Sequence, residues 1–249
     1  MKNTLIVLLV ITIVSCTKQS TNEITTLDTY INQSDTVLYN KIIACAAGSP
    51  NGISGENKFE TSVFFYPIPG ATDYKYFETL FVKDSVNFDK YIQTKLVSEP
   101  VFNGYLRKFN RGKFKSERMG IVTYRVGEQL HICTPVRIKT NVKPTEVNPN
   151  LLTTTENNIT PNFTWTDGEI DENVIYFQVI SELSGEFISG TYTYQKQFTF
   201  YDLSNVVLNV TNPNTTPQLL PNKTYNFTMM AVSEDNWVNL MFQVPFQTH

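Results

Sequence analysis

Histidine is almost absent from this chain: its 249 residues include only His131 and His249. Histidine is the side chain most often used as a general base, and His131 lies in an apolar run, "LHICTPV", that is typical of a buried strand. The sequence also has no GxSxG, no HExxH and no phosphate-binding glycine loop. We therefore predict no catalytic residue and expect a protein that is not an enzyme.

Metal-ligand patterns are also missing. No CxxC spacing occurs, and only His131 is near a cysteine. Four acidic residues cluster at Asp167, Glu169, Asp171 and Glu172, but they lack the Asp-x-Asp-x-Asp-Gly order of an EF-hand loop. A solvated acidic loop fits them better, so we predict no metal and no cofactor.

Charge is sparse, at 17% of residues, and it is unevenly distributed. Residues 17–160 contain 17 Lys and Arg against 14 Asp and Glu, whereas residues 161–249 contain two against nine. An acidic half beside a weakly basic half argues against nucleic acid as the partner.

Sustained helical periodicity is absent as well, while aromatic residues make up 13% of the chain. Aromatic and β-branched residues favour the half-buried surface of a sheet, and short strand patterns alternate with turn signals in both halves. A Pro-containing segment at residues 140–150 separates them. We predict an all-β fold of two tandem β-sandwiches, at residues 36–142 and 143–249.

Only one long apolar run occurs, Leu5–Val14, and it is about half the roughly 20 residues that cross a bilayer as a helix. With Lys2 before it and Ser15 after it, the run predicts a signal peptide at residues 1–15. Ile13-Val14-Ser15-Cys16 resembles the lipobox of bacterial lipoproteins. The resemblance implies that Cys16 is acylated and anchors the chain to a membrane.

Residues 16–35 are polar after the cysteine and predict a lipid anchor followed by a flexible tether. The resemblance to lipoproteins of Bacteroidetes implies the outer membrane as location. The acidic export signal of some of them is missing here, since no acidic residue precedes Glu23. The periplasmic side and the cell surface therefore both stay open.

Two cysteines, Cys45 and Cys133, are left once Cys16 carries lipid. In an oxidising compartment such a pair can form a disulfide. Two buried free thiols are an equal alternative, because free cysteine is among the most buried residue types.

The second half contains the segment Leu219-Leu220-Pro221-Asn222-Lys223-Thr224-Tyr225. This segment resembles the tyrosine corner of fibronectin type III domains, and the resemblance implies that the Tyr225 hydroxyl bonds to backbone upstream. Trp165 matches the family's strand-B tryptophan, and Tyr176–Val179 matches its strand C. The first half lacks the corner and is closer to a generic immunoglobulin-like sandwich.

Two features are candidates for ligand binding. The stretch "YLRKFNRGKFKSER" contains Arg107, Lys108, Arg111 and Lys113 and can contact anionic glycans or headgroups. We favour the alternative, an exposed hairpin whose aromatic side chains pack inward and whose charges are solvated.

Trp237, in "SEDNWVN", is predicted in a loop at the end of the second sandwich, where a tryptophan can stack on a sugar or fold over the sandwich end. We therefore expect a non-catalytic, lipid-anchored module that binds a glycan or an envelope protein. The alternative is an accessory subunit of an envelope assembly.

Overall fold

The structure is a computed structural model that describes residues 25–48, 61–113, 115–155, 159–212, 214 and 216–249. The predicted signal peptide at residues 1–15, the anchor at Cys16 and the first part of the predicted tether lie outside the described residues.

The described chain is all-β, as the sequence predicts. Its first half contains one short helix and ten strands: α1 (Leu27–Asn32), β1 (Thr36–Ile42), β2 (Ala44–Gly48), β3 (Thr61–Phe65), β4 (Ala71–Glu78), β5 (Ile92–Thr94), β6 (Ser98–Val101), β7 (Leu106–Gly112), β8 (Arg118–Val126), β9 (Gln129–Cys133) and β10 (Val136–Ile138). The second half contains β11 (Glu146–Val147), β12 (Leu152–Thr155), β13 (Asn162–Trp165), β14 (Ile175–Glu182), β15 (Phe187–Thr193), β16 (Gln197–Thr199), β17 (Val206–Asn209), β18 (Thr224–Val232) and β19 (Val238–Gln247). Single 3-10 turns occupy Val82–Asp84, Phe88–Lys90 and Pro149–Leu151.

These strands form four sheets. The first has the order β1-β9-β8-β4-β5, with β10 also paired to β8, and the second has the order β2-β3-β7-β6. The third has the order β11-β19-β18-β14-β15-β17, and the fourth has the order β12-β13-β16. Apolar clusters join the first sheet to the second and the third to the fourth, which gives two sandwiches.

A further apolar cluster joins the two sandwiches, because β3 and β18 are buried on both faces. Phe65 and Val63 of β3 point into the first sandwich, while Phe64 points the other way. Met229 of β18 points into the second sandwich, while Met230 points the other way and packs in the same apolar cluster as Phe64. Successive side chains of a strand point to opposite faces, so the molecule is a stack of four sheets with three buried layers. We call the middle layer the central core.

The predicted tether at residues 16–35 is wrong from Thr25 onward, where the chain is folded. Thr26 caps α1, since its hydroxyl accepts the N–H of Thr29 at 3.2 Å. Leu27 and Tyr30, three positions apart on one helix face, are buried against the first sheet. The Tyr30 hydroxyl donates to the Asp73 carboxylate at 2.7 Å. Two buried anchors in a six-residue helix explain why a polar stretch is ordered.

The Tyr225 hydroxyl accepts the backbone N–H of Leu220 at 2.9 Å, five residues upstream. This is the contact that the tyrosine-corner resemblance implies. Trp165 lies in β13, and Tyr176–Val179 lie in β14. Successive side chains of β14 point to opposite faces: Tyr176 packs in the second sandwich, and Phe177 packs in the central core.

Candidate functional site

Cys45 and Cys133 are free thiols. Cys133 is in the core of the first sandwich, where its Sγ accepts the Val122 N–H at 3.1 Å. Cys45 lies between Ala44 and Ala46, which face that same core, and it therefore points the other way, toward the central core. Burial raises the pKa of each thiol to about 12. Of the two alternatives that the sequence left open, the structure has the free thiols.

Trp237 is not an exposed stacking residue, which corrects its assignment as a ligand-binding candidate. Its side chain is fully buried, in the same cluster as the first sandwich's core. The indole N–H donates to the carbonyl oxygen of Lys143 at 2.8 Å, and the residue forms a parallel bridge with Ala46 of β2. The loop before β19 thus completes an edge of the second sheet and is not a loop tip.

The basic stretch is not an open cationic patch, because its first members are bonded within the sheet. Arg107 donates to the Ser98 hydroxyl at 3.0 Å and to its carbonyl oxygen at 2.7 Å, and its guanidinium lies 4.7 Å from the Tyr74 ring centroid. Lys108 is only 7% exposed, with its Nζ 3.9 Å from the Glu99 carboxylate. Arg107 and Lys108 therefore contribute to β7 packing.

Arg111 continues that pattern, since it holds the Glu78 carboxylate through two hydrogen bonds of 2.9 and 2.8 Å. Arg118 reaches the same carboxylate at 2.9 Å. The hydrogen bonds from Arg111 to Glu78 raise the pKa of Arg111. Lys113, just after β7, is exposed. The interleaved Phe109 is buried in the first sandwich, and Phe114 lies outside the described residues.

Oppositely charged residues from the two halves meet at the junction of the sandwiches. Lys139 pairs with Asp235 at 2.6 Å, and Arg137 lies 3.6 Å from the same carboxylate. Burial opposes ionisation of Asp235, but the hydrogen bonds from Lys139 and Ser233 and the positive charges of Lys139 and Arg137 together outweigh it and lower the pKa of Asp235. Lys143 pairs with Glu172 at 2.7 Å. The uneven charge along the sequence thus corresponds in part to ion pairs across this junction.

An open polar cleft of about 580 Å³ lies beside these ion pairs. We call it the junction cleft; the loop before β14, the loop before β19 and the segment after β10 form it. It is lined by Lys139, Asp171, Glu172, Asn173, Val174, Ser233, Glu234 and Asp235. Asp171 and Glu234 are exposed, and neither forms an ion pair with the residues that the structure describes. The cleft therefore offers free carboxylate acceptors beside a lysine and an amide.

The wall of the junction cleft is fixed by an internal hydrogen-bond chain. Asp167 accepts the Tyr176 hydroxyl at 2.8 Å and the Asn173 amide at 2.9 Å, and it pairs with Lys196. Burial alone would raise the pKa of Asp167, but these donors lower it. Asn173 in turn accepts the amide of buried Asn239 at 3.0 Å. The acidic loop is therefore partly structured, not merely solvated as the sequence suggested.

A second cavity of about 170 Å³ opens within the central core and is almost wholly apolar. Its walls come from β2, β3 and β7 on one side and from β14, β15 and β18 on the other, and they include Cys45, Phe64, Tyr192 and Met230. No motif in the sequence predicts the junction cleft or this cavity. The buried cavity has one signal in the sequence: runs such as "VFFY" and "MMAV" are apolar at every position, which is typical of strands buried on both faces.

The described residues contain no cluster of three or more potential metal ligands, and none of their helices has the length and hydropathy of a membrane span. His131 is buried beside Tyr124, with ring centroids 5.2 Å apart, and burial lowers its pKa. No family model matches this sequence, and comparison with curated proteins gives no match either.

Proposed function

We propose that the chain is a lipid-anchored lipoprotein of a bacterial envelope that binds a glycan or protein ligand without catalysis, with the junction cleft as its binding site. The lipid anchor is supported by Ile13-Val14-Ser15-Cys16 behind a short apolar run. The binding role is supported by one observation above the others: two loops and the segment after β10 converge on an open cleft of ligand size.

The cleft's chemistry suits a ligand rich in hydroxyl groups. Asp171 and Glu234 supply acceptors, and Lys139 supplies a positive charge that is already paired with Asp235. The amide nitrogen of Asn173 already donates to Asp167 and to the Ile170 carbonyl oxygen, so Asn173 offers a ligand only its carbonyl oxygen. A sugar hydroxyl both donates and accepts, so it matches carboxylates lying beside donors. Hydrogen bonds to charged groups contribute about 1.5–3 kcal/mol each.

Binding of purified envelope polysaccharides and envelope proteins to the full chain tests this proposal. Asp171→Asn with Glu234→Gln should raise the dissociation constant at least about tenfold, because charged acceptors are replaced by weaker neutral ones. Glu186→Gln is the matched control, since Glu186 is an exposed carboxylate outside the cleft. Equal binding by the double variant and the control would remove the cleft from the proposal.

The anchor has its own test. Mass spectrometry should find acyl chains on Cys16 and none in Cys16→Ala. Protease treatment of intact cells then separates the two sides of the outer membrane, since digestion places the sandwiches outside and protection places them within.

An accessory subunit of an envelope assembly is the alternative, and β17 supports it. This strand is an edge of the third sheet, Val207 and Leu208 are 46% and 41% exposed, and residues 203–210 carry no charge. Such an edge can pair with an extended strand of a partner protein. A stoichiometric complex that Leu208→Lys disrupts would favour this role, whereas a monomer that retains a glycan would favour the first.

A further inference from the structure

The connection between β4 and β5, together with β5 itself and the residues just after it, exposes a concentration of apolar side chains. Of the sixteen large apolar side chains exposed among the described residues, five lie within residues 80–97. Four of them form what we call the apolar loop: Leu80, Phe81, Val86 and Ile92, which are 59%, 57%, 80% and 40% exposed. Single exposed apolar residues are ordinary, but a grouped set marks an interaction surface.

The apolar loop is compact. Glu78 of β4 pairs with Ile92 of β5. Leu80 and Phe81 follow Glu78 by two and three residues, so they lie close to Ile92 along the chain that leaves β4. The Tyr91 hydroxyl donates to the carbonyl oxygen of Ser85 at 2.9 Å, which draws the residue before Val86 back toward β5.

The N-terminal part of the chain joins the fold at this same place. Thr26 forms an antiparallel bridge with Ile92, and the Gln93 N–H donates to the carbonyl oxygen of Thr25 at 2.9 Å. Thr25 follows Cys16 by nine positions, which span at most roughly 30 Å even when fully extended. A lipid on Cys16 therefore holds the apolar loop close to the bilayer surface.

We propose that the apolar loop is the face through which the folded chain contacts the lipid bilayer, an inference that rests on the proposed lipid anchor. Its composition suits the boundary between headgroups and acyl chains. Aliphatic and aromatic side chains stand beside Lys83, whose Nζ lies 5.5 Å from the Phe81 ring centroid, and beside Lys90, which is paired with Asp89 at 2.7 Å. Such lysines keep their charge at the headgroups while apolar neighbours enter the membrane.

The test uses the full lipidated protein in phosphatidylcholine vesicles with brominated acyl chains, which quench a nearby tryptophan. Val86→Trp places the reporter in the apolar loop. Tyr194→Trp is the matched control, because Tyr194 is 67% exposed on the second sandwich. The native Trp165 and Trp237 are buried and give both proteins the same background. We expect brominated lipid to reduce the emission of the Val86→Trp protein and to leave that of the Tyr194→Trp protein unchanged.

Mass spectrometry of the N-terminal fragment in the same samples distinguishes a missing bilayer contact from a missing lipid anchor. If Cys16 is acylated and brominated lipid reduces the emission of the two reporters equally, the bilayer contact is overturned and the anchor stands. The apolar loop would then face a protein partner or solvent. Cys16 without lipid would overturn the anchor and this inference together.

Discussion

The indole nitrogen of Trp237 lies 2.8 Å from the carbonyl oxygen of Lys143, so a tryptophan ahead of the last strand is bonded to the segment that connects the two sandwiches. In the same loop, the carbonyl oxygen of Asn236 accepts the N–H of Ala46 at 2.9 Å, and the carbonyl oxygen of Asp235 accepts the N–H of Arg137 at 3.0 Å. The loop therefore joins the halves of the molecule.

Replacement of Trp237 should destabilise the protein rather than weaken a surface contact. Trp237→Ala removes a fully buried side chain and should lower the free energy of unfolding by about 3–5 kcal/mol. Trp237→Phe preserves much of the packing but leaves the Lys143 carbonyl unpaired, at a cost of about 1–3 kcal/mol. Denaturant unfolding measures both. A Trp237→Ala protein as stable as the parent would contradict the buried position.

The Tyr225 hydroxyl should contribute measurably to stability. Tyr225→Phe leaves the Leu220 N–H without its acceptor, with an expected loss of about 1–3 kcal/mol. Tyr201→Phe is a suitable control, because the hydroxyl of Tyr201 accepts from Asn209 in an exposed position, and surface changes usually remain within about 0.5 kcal/mol. Similar losses in the two variants would argue against a special role for the corner.

Protonation of Asp235 should lower the free energy of unfolding at acid pH. Its pKa lies below the ordinary value of an aspartate side chain, because the hydrogen bonds and positive charges around it outweigh the effect of burial, so the native state favours the ionised form. This contribution is present in full above about pH 4, and it is lost as the pH falls through the lowered pKa, because protonation ends the pairing with Lys139. Asp235→Asn should thus reduce stability at pH 7 and reduce its decline below pH 4. Asp35→Asn is the matched control, because Asp35 is exposed, and its stability at pH 7 should stay within about 0.5 kcal/mol of the parent.

The thiols of Cys45 and Cys133 should react slowly in the native state. Their pKa of about 12 leaves almost no thiolate at pH 8, and only the thiolate attacks a disulfide reagent. In the lipidated chain, a chromogenic disulfide should titrate two thiols after denaturation and release little colour before it. Cys45→Ala should reduce the denatured count to one. A denatured chain with no reactive thiol until reduction would show that the pair is oxidised.

The two sandwiches should unfold together. Phe64→Ala opens a hole in the central core, where Phe64 packs with residues of both halves, and should cost about 3–5 kcal/mol. Tyrosine fluorescence and circular dichroism should report one coincident transition for the parent and for the variant. Two separated transitions in the parent would show that the central core does not couple the halves.

The sequence predicts those structural features whose contacts lie within one short segment of the chain. The segment Leu219–Tyr225 predicts a tyrosine corner, and the Tyr225 hydroxyl accepts the N–H of Leu220 within that segment. The segment Tyr176–Val179 predicts a strand, and it lies in β14. Both predictions need only neighbouring residues.

Features that depend on distant partners were missed. Arg107 and Arg111 look like free surface charges in the sequence, but their acceptors lie 9 and 33 positions away. Nothing near Trp237 indicates that residue 143 will accept its N–H. The order in α1 likewise depends on Tyr30 finding Asp73, 43 positions along the chain.

The burial of the second sheet on both faces limits how this protein can be rearranged. A transplant of the second half alone would expose Phe177, Tyr192 and Met230 to water, and a transplant of the first half alone would expose Phe64 and Leu106. Neither half can therefore be inserted into another chain by recombination unless that chain covers the exposed apolar surface. Insertions, deletions and duplications should therefore be tolerated at the outer edges of the stack, and the pair of sandwiches should be inherited as one unit.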